Sequence, residues 1–150
     1  AASRFERRLE SLRERYSTRS PVSVFYQVWD DPLQTLAGEQ FVGHVIRLCG
    51  GRNIFADAVS LAPKVGIESV LERDPQAIVA SGMGDERPDW LDDWRDWPGL
   101  QAVENDHLFF VAPDIIQRAI QDGHAFGVHH PGRWIDVGRA ATLAQARQIG

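Results

Sequence analysis

The chain is poor in the residues that would point to several common kinds of chemistry. It has one cysteine in 150 residues, which excludes an internal disulfide framework and any multi-cysteine zinc site. No run of about 18 apolar residues exists, so no helix is predicted to span a membrane. Lysine is almost absent: Lys64 stands alone against 15 arginines, a compositional bias rather than a motif. Positive charge is also short overall, with a formal net charge of −5, which argues against nucleic acid as a partner. No initiator methionine and no signal-peptide pattern is visible. Ala1-Ala2-Ser3-Arg4 leads straight into a helical pattern, so we expect a processed chain or a start further upstream.

What is present is ordinary globular composition, 43% hydrophobic and 25% charged, enough for one domain with a real core. The charge is unevenly spread. Residues 1–20 carry six Arg and three Glu, whereas residues 85–106 carry eight acids and two Arg. Both stretches read as solvated faces.

Periodicity predicts an alternation of helices and strands. Phe5, Leu9, Leu12 and Tyr16 recur at helical spacing over residues 3–17. Val22 to Val28 is β-branched and aromatic, and its nearly continuous apolar character suits a strand buried on both faces. Trp29 to Ala37 reads as loop. Phe41, Val45 and Leu48 mark a second helix, stopped by Gly50-Gly51, with Cys49 on its apolar face as a buried structural thiol. Asn53 to Phe55 is ambiguous. A short helix covers Ile67 to Leu71 and ends before Asp74-Pro75. Ala77 to Ala80 and Leu108 to Val111 read as strands, separated by a helix over Pro88 to Arg95 and one turn at Leu100 to Glu104. Such alternation implies right-handed crossovers and a mostly parallel sheet, an α/β fold.

Catalytic signatures are missing. Cys49, Ser60 and Ser81, with His44 and His107, are the candidate nucleophiles and bases, but no G-x-S-x-G elbow is present. Ser81-Gly82-Met83-Gly84 lacks the third glycine of a dinucleotide loop and reads as a plain turn. His124, His129 and His130 match no metal-ligand spacing. The acidic pairs Asp30-Asp31 and Asp92-Asp93 fit solvated surface. Trp29 is more informative, because it follows a strand directly and ligands bind at that edge of parallel sheets. A loop tryptophan folded into the core is the equal alternative. Trp90, Trp94 and Trp97, at helical spacing, read as packing residues.

Three runs resemble a known family. Val24-Phe-Tyr-Gln-Val-Trp29, the stretch from Ile46 through Cys49-Gly-Gly-Arg-Asn-Ile-Phe55 to Asp57, and Val70-Leu-Glu-Arg-Asp-Pro-Gln-Ala-Ile-Val79 resemble cobalamin-binding periplasmic proteins. These are the substrate-binding subunits of vitamin-uptake ABC transporters, within a wider group that carries siderophores and haem. The resemblance covers roughly residues 3–118. It implies two α/β lobes joined by a long helix, with the ligand in the cleft between them. Residues 1–18 then correspond to the end of that helix, and residues 20–118 to the C-terminal lobe, a Rossmann-like three-layer unit with a mostly parallel sheet.

The same resemblance implies a non-catalytic periplasmic binding protein, a monomer, with cobalamin as transported ligand and no catalytic cofactor or metal. The partners it implies are ABC permease subunits. The cleft positions that correspond are Trp29, Ala62, Pro63, Asp114 and Arg118, and Glu68 corresponds to the carboxylate that meets permease arginines. Some members carry Trp where Ala62 stands. A ferric siderophore or haem is the alternative ligand on the same fold, and an α/β enzyme the more remote one. The resemblance stops near Arg118, where the family continues with a Pro-Arg pair and a long helix bearing a second Cys. Residues 119–150 are therefore expected to be an atypical tail, either a shifted reading frame with poor order or a family variant, with an apolar sheet face left under-covered.

Overall fold

A computed structural model describes residues 2–38, 40–81 and 86–112. Helix α1 (Ala2–Ser17) comes first. Its half-buried residues Leu9, Leu12 and Tyr16 share one stripe, and the arginines and glutamates between them are exposed. Among the described residues five strands follow: β1 (Val22–Asp30), β2 (Leu33–Thr35), β3 (Gly51–Asn53), β4 (Ala77–Ser81) and β5 (Leu108–Val111). Between them lie helices α2 (Phe41–Leu48), α3 (Ile67–Arg73) and α4 (Gln101–Glu104), and a 3-10 helix at Asp89–Asp96.

The sheet runs β2-β1-β4-β5. Strand β1 is its axis. It pairs parallel with β4 along one edge, from Val24↔Ala77 to Gln27↔Ala80. Its other edge is shared: β3 pairs parallel at Val22 to Val24, and β2 pairs antiparallel at Gln27 to Asp30. β5 pairs parallel with β4, from Ile78↔Leu108 to Ser81↔Val111. The expected α/β architecture with a mostly parallel sheet is therefore present.

The loop expected from Trp29 to Ala37 is a correction. It is a hairpin return, and β2 extends the sheet there. Loop 61–65 runs along the outer edge of β2, where the amides of Ala37 and Thr35 donate to the carbonyls of Leu61 and Pro63, and Val65 donates to Leu33. Leu33-Gln34-Thr35 has no apolar alternation to announce a strand. Its edge is satisfied by tertiary neighbours on both sides.

The core is aromatic at its centre. Phe25 meets Phe55 and Trp94 edge to face, at 5.8 and 5.6 Å between ring centroids. Val70, Ile78, Leu91, Leu100 and Ala102 close around them. Asp74 ends α3 in the left-handed conformation, with φ 40°. Its two carboxylate oxygens accept from the backbone and side-chain amides of Gln101 at 2.9 and 2.8 Å, which pins α4 beside α3.

Helix α2 departs from expectation. Phe41 is 80% exposed, Val45 is exposed and Leu48 is half-buried. The buried position is Gly43, where a Cβ would collide with the backbone of Gly38. The helix thus rests on its glycine, backbone against backbone, and Phe41 and Val45 face outward. Cys49 is exposed as well, which corrects its reading as a buried thiol.

Candidate functional site

In a parallel sheet the strand carboxyl ends gather at one edge, and the loops leaving them can hold a ligand. Here that edge carries Trp29 and Asp30 at the end of β1, and Ser81 and Val111 at the ends of β4 and β5. Trp29 is 44% exposed, so the indole is not folded into the core. Its Nε1 donates to the carbonyl of Asp31 at 2.9 Å, which fixes the ring against the turn.

Three of the expected positions lie on the two sides of β2. Trp29 stands opposite Gln34 in the β1–β2 register. The amide of Gln34 donates to the carbonyl of Ala62 at 3.1 Å, and Pro63 accepts from Thr35. Trp29 on β1 and the loop that carries Ala62 and Pro63 therefore flank β2 on its two edges. Glu68 is exposed in the first turn of α3, with one carboxylate oxygen curled back over Gly66. Asp114 and Arg118 lie outside the described residues, as do His124, His129 and His130 and the whole of 119–150.

A cavity of about 380 Å³ opens at the same edge. Gln27, Asp30, Trp90, Asp93, Trp94 and Trp97 line most of it. Gln27 and Asp30 are three apart, yet both line this cavity, because β1 carries an irregularity in register between Gln27 and Trp29. One extra residue in a strand re-aims the side chains beyond it. Trp29 is not among the lining residues. Trp97 is 39% exposed, a correction to its reading as a packing residue, whereas Trp94 is buried as expected. Helical spacing alone did not separate the two. The break at Pro98-Gly99, which lets the chain leave the helix at Trp97, was the available signal.

Charge at this edge is ordered on the outer side of the 3-10 helix. Asp92 accepts two hydrogen bonds from Arg87, at 2.6 and 2.9 Å, and one from Arg95 at 3.1 Å. Arg95 also reaches Asp106 at 2.9 Å. The hydrogen bonds from Arg87 and then Arg95 hold the Asp92 carboxyl at about 2, below its ordinary 3.8. A carboxylate held ionised in this way is a structural ion-pair member, not a proton donor near neutral pH. Among the described residues no group of three His, Cys, Asp or Glu side chains is placed to hold a metal ion. No helix among them is long and apolar enough to cross a membrane.

Comparison with known proteins bears on this arrangement. Residues 1–115 match the periplasmic binding protein family. The chain belongs to that family. Among curated members, it is 36% identical over 121 residues to a vitamin B12-binding protein of Vibrio campbellii, covering 79% of this chain and 42% of the relative. It is 39% identical over 119 residues to a vitamin B12-binding protein of Vibrio cholerae, with the same coverage of 79% and 42%. The chain thus spans about two fifths of the length of these family members. Among solved structures, a periplasmic vitamin B12-binding protein of Vibrio cholerae superposes with a TM-score of 0.61 at 37% identity, over 73% of this chain and 42% of that one. A possible iron-binding periplasmic protein from Staphylococcus epidermidis superposes with a TM-score of 0.65 at 19% identity, over 81% and 50%, and shares the fold.

Proposed function

We propose that this chain is the C-terminal lobe of a two-lobed periplasmic protein that binds cobalamin and delivers it to an ABC permease. The observation that carries this reading is 39% identity, over 119 residues, to a relative named for vitamin B12 binding. The geometry supports it. An exposed indole at the carboxyl edge of β1 offers a flat apolar surface to a corrin ring, and Ala62 and Pro63 stand in the loop along the outer edge of β2. The role is binding without catalysis. Helix α1 is the end of the connecting helix (1–18), and residues 20–118 form the lobe.

Asp114 and Arg118 supply polar contacts to the corrin side-chain amides in this reading. Glu68 docks on permease arginines, since a solvent-exposed carboxylate at a helix start accepts a bidentate guanidinium readily. The partner lobe would supply the other wall of the cleft, so residues 1–150 alone are expected to bind cobalamin weakly or not at all.

The test is a visible-absorbance titration of the two-lobed protein with cobalamin, in competition with a ferric hydroxamate. Preference for cobalamin, weakened about tenfold or more by Trp29→Ala, is the expected result. Preference for the ferric chelate would replace the ligand. Micromolar binding of cobalamin by residues 1–150 alone would overturn the two-lobe requirement. Glu68→Arg should reduce transport and leave the binding titration unchanged.

A further inference from the structure

We propose that a second groove, at the opposite end of β1 from Trp29, binds a phosphate monoester carried on an apolar body. The groove has a volume of about 480 Å³ and lies where α1, the exit of α2 and β3 meet. Arg13 and Arg19 line it from the α1 side, and Arg47 and Arg52 from the side of α2 and β3. Tyr16, Pro21 and Leu48 supply apolar surface between them. Among the described residues no Asp or Glu lines it, although the whole chain is acidic at −5.

The walls are set by close backbone packing. Gly50 has φ 79°, and a Cβ there would lie 3.0 Å from Cβ of Tyr16. Gly51 is closed in by Ile46 in the same way, at 2.7 Å. The two arginine-bearing walls are therefore held at a fixed spacing. The guanidiniums are oriented too. Arg47 donates to the carbonyl of Gly38 at 3.1 Å and to Nδ1 of His44 at 2.6 Å. Arg19 lies over the Tyr16 ring, 5.8 Å from its centroid. Arg52 makes no hydrogen bond or ion pair with the other described residues.

The charge balance decides what fits. Two helix C-termini, those of α1 and α2, point at this region, and together they contribute roughly one negative charge. Glu10 takes part of the charge of Arg13 through a contact of 3.2 Å. Arg47 is engaged by its own neighbours and is left out of the balance. Arg13, Arg19 and Arg52 less these terms leave roughly one and a half positive charges in surplus. A phosphate monoester carries about −1.5 to −2 near neutral pH, so it matches the surplus where a single carboxylate would not. Guanidinium forks also fit its oxygens bidentately.

The groove stands apart from the edge described above. β1 has nine residues from Val22 to Asp30, and a strand of that length places its ends roughly 26 Å apart. The proposal therefore does not rest on the cobalamin reading.

The experiment is a calorimetric titration of the 150-residue chain with phenyl phosphate at low salt, with inorganic phosphate and phosphatidylglycerol vesicles as parallel arms. The expected result is saturable binding of phenyl phosphate at one site. It should be tighter than inorganic phosphate and weakened about tenfold by the double variant R19Q/R52Q. The control variant R4Q/R8Q removes the same charge from exposed α1 positions outside the groove and should bind as the parent does. Both pairs are at the surface, and circular dichroism verifies that each variant is folded. Binding of vesicles with the same R19Q/R52Q dependence, without binding of phenyl phosphate, would assign the phosphate to a lipid headgroup and overturn the small-molecule form. Absence of saturable binding in every arm would overturn the proposal, as would equal loss in the two double variants.

Discussion

Nε1 of Trp94 donates to Oε1 of Gln27 at 2.7 Å, inside the protein and across 67 residues of sequence. The other end of the same amide donates to the carbonyl of Trp29 at 3.3 Å. One buried glutamine thus ties the 3-10 helix to the strand and steadies the backbone of the exposed indole. Gln27→Leu should leave the Trp94 N–H without a partner and cost about 1–3 kcal/mol. Urea unfolding of the two proteins checks this, and an unchanged midpoint would show that the amide is not needed.

Gly43→Ala is expected to destabilise the chain although alanine is the better helix former. The added Cβ collides with the backbone of Gly38, which cannot rotate away as a side chain can. Overpacking of this kind costs about 1–3 kcal/mol. Gly99→Ala is the matched control, since a Cβ there meets nothing within 4 Å. Thermal unfolding should separate the two variants clearly.

The Asp92 carboxyl is depressed from 3.8 to about 2 by its hydrogen bonds from Arg87 and Arg95. A group whose pKa is lower in the folded state stabilises above its unfolded pKa and loses that contribution as pH falls through the folded value. The Arg87–Asp92–Arg95 contacts should therefore persist at pH 4 and be lost as pH falls towards 2. A carboxyl-carbon NMR titration should place the Asp92 midpoint near 2, and one near 3.8 would show that the arginines do not hold it. Because the group is exposed, Asp92→Asn should change neutral-pH stability little.

Cys49 is exposed at the end of α2. It should react with one equivalent of a thiol reagent in the folded chain, at a rate that denaturant barely raises. A reaction that needed denaturant would mean that this helix face is covered in solution.

Much of the fold was legible because it is written in short periods. The α1 stripe, the apolar run of β1, the Asp74-Pro75 stop and the β4 and β5 strands each follow from local chemistry. The edge that holds Trp29 was also legible, since a tryptophan directly after a parallel strand must lie near the carboxyl edge. β2 was not. Gln34 has no strand signature, and its pairing depends on Trp29 on one side and the 61–65 loop on the other. The buried face of α2 is not legible in the sequence for a related reason. Periodicity finds the apolar stripe of a helix, but it cannot see that a glycine allows the opposite side to approach another backbone.

By itself the sequence determined the class of the protein: alternating elements, a parallel sheet, and runs such as Cys49-Gly-Gly-Arg-Asn-Ile-Phe55 that carry the family likeness. Tertiary structure decided exposure. It placed Trp29 and Trp97 at the surface and Trp94 in the core, turned Phe41 outward, and gathered four arginines from α1, α2, β3 and a connecting turn around one groove. The reason is physical. Secondary structure is set by neighbours a few residues away, whereas burial and field are sums over everything packed nearby, and 67 residues separate even the two partners of the central hydrogen bond.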